Sequence, residues 1–365
     1  EINLDAKVID NKIYTGGHNH KLKGNVSINL GPDSNVIEFD KLNHDGKLDV
    51  KLNKDTYIVN FDAKNINKLT LEENSGIILS QNATFDVDNV VLKNNARIDF
   101  RDMTNNTPTV KGNFDKATYY YLVRINDDFF KTLDPYAISS NANHEVNYVI
   151  DFKNTYKMKE TYYKSDKNNY LNSFIYELSV RDATSIVDCD NKGSYKALTN
   201  SIDKNYGLGY IKNIGITHIQ FLPIYAFGGV DELIQDCNVD KFLYNWGYNP
   251  MQYMVPSGFF SLNPNDPYER INELKELIDT IHSLNIGVNM DVVFNHVYDS
   301  AWYPFEKLVP GYTFRTDDRG YLTNSSWCGN DLKTDHLMIR KLIIDSVIHF
   351  QKNYKIDGFR FDLMG

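Results

Sequence analysis

The second half of the chain alternates apolar, strand-like runs with amphipathic helical patterns. The runs cover residues 174–180, 216–222, 287–294 and 358–363, and they are separated by stripes of period 3.6 such as residues 271–284. Such alternation folds into a parallel sheet, either an open doubly wound sheet or a (β/α)8 barrel. No glycine-rich phosphate loop follows the first run, which favours the barrel, and four strands make up its first half.

Residues 1–165 have a two-residue periodicity instead. From Val26 to Leu30 apolar and polar residues alternate, which predicts a half-buried strand, and Asp45-Gly46 is typical of a short hairpin. We expect a β-sandwich-like region without internal repeats. The polar stretch 153–169 suits an exposed connection. The predicted architecture is therefore multidomain, with an N-terminal β-rich region up to about residue 165 and the first half of a TIM barrel over residues 166–365.

Composition and charge argue against several functional classes. The formal net charge is −9 and Lys and Arg are not clustered, so nucleic acid is not an expected partner. No run of 18 apolar residues predicts a membrane span. Three cysteines are too few for a disulfide framework or a zinc site, and His18 and His20 lack further ligands, so we predict no metal site. These residues do not fix the compartment, although the cytoplasm is favoured over secretion.

Polar side chains stand at the ends of the third and fourth strand-like runs. Functional side chains of parallel barrels gather at the carboxyl ends of the strands, so these ends form the candidate site. Asp291 and Asn295 share one face of the third run with His296 at the rim, and Arg360 and Asp362 share one face of the fourth. Arg360 would keep Asp362 ionised, as attack on an anomeric carbon requires. A buried Arg–Asp pair that only fixes packing explains the spacing equally well.

An aromatic, amide-rich loop follows the second run. It reads Tyr244-Asn-Trp-Gly-Tyr-Asn-Pro250, and Trp302 and Trp327 also fall in loops between the second and fourth runs. Aromatic rings stack on the C–H faces of sugars while Asn side chains bind hydroxyl groups, so the loop suits a sugar site. Core packing is the alternative, although no helical stripe accommodates these rings.

Together these motifs resemble the α-amylase superfamily of glycoside hydrolases and, within it, the type I pullulanases. The segments that carry the resemblance are Asp291–His296, Gly358–Asp362, Tyr244–Pro250, Ile175–Arg181, Gly215–Pro223, Val309–Tyr312 and Gly329–Asp331. Residues 113–151, which include Asp134–Ala137, resemble the end of a carbohydrate-binding module. Residues 1–112 match nothing that we can name.

The resemblance implies a retaining hydrolase that cleaves α-1,6-glucosidic branch linkages in pullulan, amylopectin, glycogen or limit dextrins. It implies that Asp362 is the nucleophile and that Arg360 orients it. It further implies that the branched α-glucan is bound by His296, Tyr248, Asn295, Asp291, Trp246, Asn249 and Asp331. No organic cofactor is implied, and calcium dependence is left open.

The same resemblance places the general acid at the end of a fifth strand and a further Asp after a seventh, whereas this sequence ends at Gly365. We therefore expect the N-terminal portion of a longer enzyme, inactive alone and completed by a C-terminal continuation or a second chain. A half barrel would also expose strand edges. Two alternatives stay open: a non-catalytic α-glucan-binding fragment, and a related isoamylase or branching enzyme.

Overall fold

The computed structural model divides the chain into two compact units, residues 1–117 and residues 118–365. The structure describes residues 47–61, 63–79, 85–99, 114–126, 128–159, 170–234 and 244–363, with the backbone of four short strands before residue 40. His18, His20, Cys237 and the Asp45-Gly46 turn lie outside the described residues.

The strands of the first unit form two parallel sheets. They are β1 (Ile2–Asp5), β2 (Lys12–Ile13), β3 (Val26–Leu30), β4 (Ile37–Phe39), β5 (Leu48–Leu52), β6 (Tyr57–Phe61), β7 (Ala63–Leu71), β8 (Gly76–Leu79), β9 (Phe85–Val87), β10 (Val90–Leu92) and β11 (Arg97–Asp99). One sheet has the order β1, β3, β5, β7, β10, with β9 also paired to β7, and the other has the order β2, β4, β6, β8, β11. The neighbours pair in parallel, so the chain passes back and forth between the sheets as a β-solenoid.

This topology does not confirm the expected β-sandwich-like region. Alternation of apolar and polar residues reports that one face of each strand is buried, as at Leu48, Val50 and Leu52, but it carries no information about strand direction. A solenoid and an antiparallel sandwich therefore produce the same pattern. The connections between strands decide whether neighbouring strands run parallel or antiparallel. Among the described residues of the first unit, no two paired strands are joined by a hairpin.

Polar side chains stack between successive turns of the solenoid. Asn74 Nδ2 donates to Asp55 Oδ1 (3.0 Å), and Asn95 Nδ2 donates to Asn74 Oδ1 (3.0 Å), at separations of 19 and 21 residues. All three residues have positive φ, a conformation that Asn and Asp tolerate better than other non-glycine residues. A structural repeat of 19 to 21 residues is thus present where the sequence had indicated none.

Replacing Asn74 by alanine should lower the free energy of unfolding of the first unit by about 1–2 kcal/mol. The change removes both ladder hydrogen bonds and leaves a methyl side chain at a φ of 54°. Asn74→Gly is the matched variant, because it also loses the bonds but relieves the backbone. Thermal unfolding should rank Gly above Ala, and equal losses would show that φ is unimportant there.

The second unit combines short strands with helices. Its strands are β12 (Thr118–Tyr119), β13 (Tyr121–Ile125), β14 (Asp128–Thr132), β15 (Asn147–Tyr148), β16 (Ile175–Leu178), β17 (His218–Phe221), β18 (Tyr225–Phe227), β19 (Pro250–Pro256), β20 (Gly287–Val292) and β21 (Gly358–Phe361). Its α-helices are α1 (Tyr195–Thr199), α2 (Gly207–Asn213), α3 (Glu269–Ser283), α4 (Pro304–Leu308) and α5 (Leu337–Tyr354). Single 3-10 turns span Ala142–His144, Phe152–Asn154, Tyr170–Asn172 and Gly258–Phe260.

A parallel sheet of β16, β17, β20 and β21, in that order, forms the centre of this unit. Helices intervene between successive strands, and α3 buries the stripe that begins with Ile271, Leu274 and Leu277. The predicted four parallel strands are therefore confirmed, as a partial TIM-barrel-type fold. In the described part of the chain no helix is long and apolar enough to cross a membrane.

Residues 118–159 pack against this α/β core. Ser139 Oγ donates to the Pro267 carbonyl (2.7 Å), and Asp279 of α3 accepts hydrogen bonds from Tyr156 Oη (3.1 Å) and the Lys159 amide (2.9 Å). The predicted boundary near residue 165 falls among residues that the structure does not describe and stays a prediction. The two compact units meet between residues 117 and 118.

A buried ion pair connects α3 to the segment after β18. Arg270 and Glu232 are 0% and 1% exposed, and Arg270 Nη2 donates to Glu232 Oε2 (3.2 Å) and to the Pro264 carbonyl (2.8 Å). The Gly258 amide donates to Glu232 Oε1 (2.8 Å). Burial raises the pKa of Glu232, but Arg270, His144 and the amides that bond to it outweigh this and lower the pKa below its usual value. Glu232 is therefore charged at neutral pH.

Candidate active site

The candidate site lies at the carboxyl ends of β20 and β21. The parallel register pairs Asp291 with Arg360, which brings their side chains together. Arg360 Nη1 donates to Asp291 Oδ1 and Oδ2 (both 3.0 Å) and to Asp362 Oδ1 (2.5 Å). The Asp291 side chain is fully buried, whereas 26% of the Asp362 side chain is exposed. One guanidinium thus joins a buried carboxylate to a carboxylate that a ligand can reach.

Tyr248 approaches the same buried carboxylate from the aromatic loop. Its hydroxyl donates to Asp291 Oδ2 (2.5 Å). Burial raises the pKa of Asp291, while hydrogen bonds from Tyr248 and Arg360 act in the opposite direction. Burial and the bond to Asp291 raise the pKa of Tyr248 far above its usual value, so the hydroxyl remains a donor. Asp291 is therefore fully engaged in holding Tyr248 and Arg360.

Asn295 and His296 follow β20 and connect it to the end of β21. Asn295 Nδ2 donates to the carbonyls of Asp362 (3.3 Å) and Leu363 (3.3 Å), and Asn295 Oδ1 bonds to His296 Nδ1. Burial lowers the pKa of His296, which favours a neutral imidazole. This arrangement fixes the backbone that carries Asp362 and leaves His296 as a neutral hydrogen-bonding group.

A glycine turn positions the aromatic loop. Gly247 has a φ of 93°, and a Cβ there would lie 2.8 Å from the Pro223 carbonyl, so the turn requires glycine. Tyr244 Oη donates to Asp182 Oδ2 (2.6 Å), and the rings of Tyr244 and Trp246 meet edge to face at 6.4 Å. Trp246 is 60% exposed. Asp182 was not among the site residues predicted from the sequence. The one feature that could have suggested it is its position directly after Ile175–Arg181, a segment that carries the family resemblance.

An open cavity of ≈ 970 Å³ adjoins these groups. Asp362, Arg360, Tyr248, Trp246 and Tyr244 are among the residues that line it. Exposed rings and an accessible carboxylate in one cavity fit a ligand with both apolar faces and hydroxyl groups.

Two predicted substrate-site residues have other partners. Asp331 is 6% exposed, and its carboxylate accepts hydrogen bonds from Thr323 Oγ1 (2.6 Å) and the amides of Ser325 (2.7 Å) and Ser326 (2.9 Å). Although burial raises the pKa of Asp331, these bonds hold it well below the usual value. Asn249 accepts a hydrogen bond from the Gly228 amide (2.8 Å) through its main-chain carbonyl, so this bond does not involve the Asn249 side chain. Direct substrate contacts of both residues stay predictions.

The described residues contain no group of three or more His, Cys, Asp and Glu side chains that could hold a metal ion. Cys189 and Cys328 are free thiols. The site is thus built from carboxylates, a guanidinium, a neutral histidine and aromatic rings.

Residues 174–318 match the family model of the α-amylase catalytic domain. This match covers β16 to β20 and the aromatic loop, so this part of the second unit resembles an α-amylase-type catalytic domain. Strand β21 lies beyond the matched residues. Functional side chains of TIM-barrel catalytic domains lie at the carboxyl ends of the strands, which is where the candidate site lies in this structure.

Within that class the chain is similar to pullulanases. It is 39% identical to the pullulanase of Bacillus subtilis strain 168 over 264 residues, which are 70% of this chain and 36% of that protein. It is 30% identical to chloroplastic isoamylase 3 of Oryza sativa subsp. japonica over 200 residues, 52% of this chain and 25% of that protein. The crystal structure of the Anoxybacillus sp. LM18-11 pullulanase complexed with maltotetraose superposes with a TM-score of 0.65 at 39% identity, covering 70% of this chain and 38% of that one.

The predicted resemblance to pullulanases is confirmed by these matches. The chain spans 25% to 38% of the length of these three relatives. The matched residues therefore resemble part of a catalytic domain of the pullulanase type.

Proposed function

We propose that this chain carries the nucleophile and part of the glucan site of a retaining glycoside hydrolase that cleaves α-1,6-glucosidic branch linkages. The observation that carries the proposal is the Arg360 guanidinium, which bonds to the buried Asp291 and to the accessible Asp362 at once. A structural Arg–Asp pair would need only one of these carboxylates. The second carboxylate lines the open cavity beside exposed rings.

The proposed chemistry has two displacements. An Asp362 carboxylate oxygen forms a bond to the anomeric carbon of the glucosyl unit as the bond to the leaving oxygen breaks, and an acid protonates that oxygen. Water then attacks the anomeric carbon of the glycosyl ester while the same residue, now a base, takes its proton. The bond between that carbon and the Asp362 oxygen breaks, and the Asp362 carboxylate is regenerated. The resemblance assigns the acid to a Glu on a fifth strand, so we do not assign it to any residue of β16, β17, β20 or β21.

The remaining groups of the site bind and orient the sugar. We propose that the neutral His296 bonds to a hydroxyl of the glucosyl unit at Asp362, and that the Tyr248 ring stacks beneath it. Asp291 and Asn295 hold Tyr248, Arg360 and the Asp362 backbone by the bonds described above. Trp246 offers an exposed ring in the same cavity to the adjoining glucan chain.

The products of pullulan digestion separate the proposed function from its alternatives. Cleavage of the α-1,6 bonds of pullulan, with maltotriose as the product, is expected of the whole protein. Glucan binding without any release of reducing ends would favour a non-catalytic α-glucan-binding protein. Cleavage of glycogen branches without cleavage of pullulan would favour an isoamylase, and transfer of branches would favour a branching enzyme.

Replacing Tyr248 by phenylalanine should lower kcat by roughly 10- to 100-fold with a smaller change in KM. The variant keeps the ring but removes the hydroxyl that bonds to the buried Asp291 (2.5 Å), so Arg360 loses a rigid support. Tyr248→Leu should in addition raise KM, because the stacking surface is lost. A phenylalanine variant with wild-type kcat would refute the positioning role of the hydroxyl.

The two outer strands of the parallel sheet, β16 and β21, carry exposed apolar side chains. Ile175 of β16 is 52% exposed and Phe361 of β21 is 41% exposed, although parallel strands are normally covered. We propose that additional strands, from a continuation of the chain or a second chain, cover these edges in the active enzyme. The proposed substrate of the completed enzyme is a branched α-glucan. The cytoplasmic location favoured from the sequence stays a prediction.

A further inference from the structure

Trp327 combines extreme exposure with an unfavourable backbone conformation. It is 90% exposed and lies outside the buried hydrophobic clusters of the described residues. Its φ is 61°, in the left-handed region that bulky side chains rarely adopt. A large apolar ring held in water on a strained backbone is not explained by core packing, and such strain is concentrated at functional sites.

Hydrogen bonds from residues before and after Trp327 hold the turn that carries it. On one side, the Asp331 carboxylate accepts the hydrogen bonds of Thr323, Ser325 and Ser326. On the other, the Gly329 amide donates to Asn324 Oδ1 (2.6 Å), and the Trp327 amide donates to the Asn324 carbonyl (3.2 Å). We call residues 323–331 the Trp327 loop.

The Trp327 loop is fastened to the strand end that carries Asn295 and His296. The Leu332 amide donates to the Asn295 carbonyl (2.8 Å). Asn330 Oδ1 accepts from the Val297 amide (3.0 Å), and Asn330 Nδ2 donates to the Val297 carbonyl (2.8 Å). These bonds bracket His296, so the position of the Trp327 loop is coupled to the candidate active site.

We propose that Trp327 is a glucan-stacking residue, which binds a glucosyl unit of the substrate chain outside the unit held at Asp362. The inference rests on the proposed function, because the ligand is the same α-glucan. The indole presents a flat apolar face that matches the C–H face of a pyranose, and a preformed loop binds without an ordering cost. Strain in the unliganded loop is retained because the ring is needed at that place.

The test is the affinity of the whole protein for maltohexaose, measured by isothermal titration, together with its melting temperature. Trp327→Gly should weaken binding roughly fivefold to tenfold. Its melting temperature should be unchanged or higher, because glycine accepts the positive φ without strain. Trp327→Phe should keep most of the affinity because a ring remains. Leu171→Ser removes an apolar side chain that is 84% exposed elsewhere and should bind as the wild type does.

The outcomes separate the inference from the proposed function. Wild-type affinity in Trp327→Gly would overturn the inference alone. Weaker binding in Trp327→Gly accompanied by a fall in melting temperature would show a structural role and would also overturn it. Failure of the unaltered whole protein to bind maltohexaose would overturn the glucan site itself, and with it both proposals.

Discussion

Replacing Asp362 by asparagine should lower the rate of hydrolysis by a factor on the order of 10⁴ while glucan affinity changes little. Asparagine has nearly the same shape and its oxygen can accept the bond from Arg360, which the wild-type carboxylate accepts at 2.5 Å. It cannot form the glycosyl ester on which the proposed mechanism depends. The rate is measured as reducing ends released from pullulan by the whole protein, and affinity is measured separately by titration.

Two controls make this result specific. Asp335→Asn alters a carboxylate whose side chain is 65% exposed outside the site, and it should leave the rate unchanged. Asp362→Ala should regain bond cleavage when azide is added, because the small anion takes the place of the missing nucleophile. An Asp362→Asn variant within tenfold of the wild-type rate would remove Asp362 from the role of nucleophile.

Replacing Arg270 by methionine should destabilise the second unit by about 3–5 kcal/mol, which corresponds to a fall in melting temperature of roughly 6–20 °C. The variant leaves the carboxylate of Glu232, 1% exposed, without its guanidinium partner and also frees the carbonyls of Pro256 and Pro264. Thermal unfolding followed by near-ultraviolet circular dichroism measures the change.

The pH dependence of that loss has a definite sign. In the wild type the lowered pKa of Glu232 contributes stability above the usual carboxyl pKa, and this contribution is lost as the pH falls. Without Arg270 the buried carboxylate has its pKa raised instead, so the variant gains stability relative to the wild type as Glu232 takes up a proton. The difference between the two proteins should therefore be largest at neutral pH and shrink towards acidic pH.

Matched variants test whether burial is the cause. Lys196 and Glu276 form an ion pair of 2.7 Å whose side chains are about one third exposed, and Lys196→Met should cost less than about 1 kcal/mol. Adding Glu232→Leu to Arg270→Met should recover part of the loss because no charge is then buried alone. Equal effects of Arg270→Met and Lys196→Met would contradict this explanation.

The α/β part of the fold could be predicted because its signals are local. The strand-like runs and the stripe of α3 are set by neighbouring residues, and the carboxyl ends of parallel strands must meet at one edge. This is why Asp291, Arg360 and Asp362 could be expected in one site from sequence alone. The register that pairs Asp291 with Arg360 adds the shared guanidinium, which spacing within each strand did not specify.

Other features depend on contacts between distant residues and had no local signal. The hydrogen-bonded ladder of Asp55, Asn74 and Asn95 joins residues that are 19 and 21 positions apart. Because neither the spacing nor the residue type is constant, the repeat is not visible in the sequence. The bond between Asp182 and Tyr244 spans 62 residues. Asp331 was predicted to bind substrate. Its carboxylate accepts hydrogen bonds from Thr323 and Ser325, and these contacts depend on how the Trp327 loop folds.

The most direct test of the central claim is covalent capture of the glycosyl-enzyme. The whole protein is incubated with a fluorinated glucosyl fluoride, which forms the glycosyl ester faster than water removes it, and the peptides are then analysed by mass spectrometry. We expect one added fluorinated glucosyl group on the peptide that contains Asp362. A label on another carboxylate, or turnover of the reagent with the Asp362 peptide unlabelled, would contradict it.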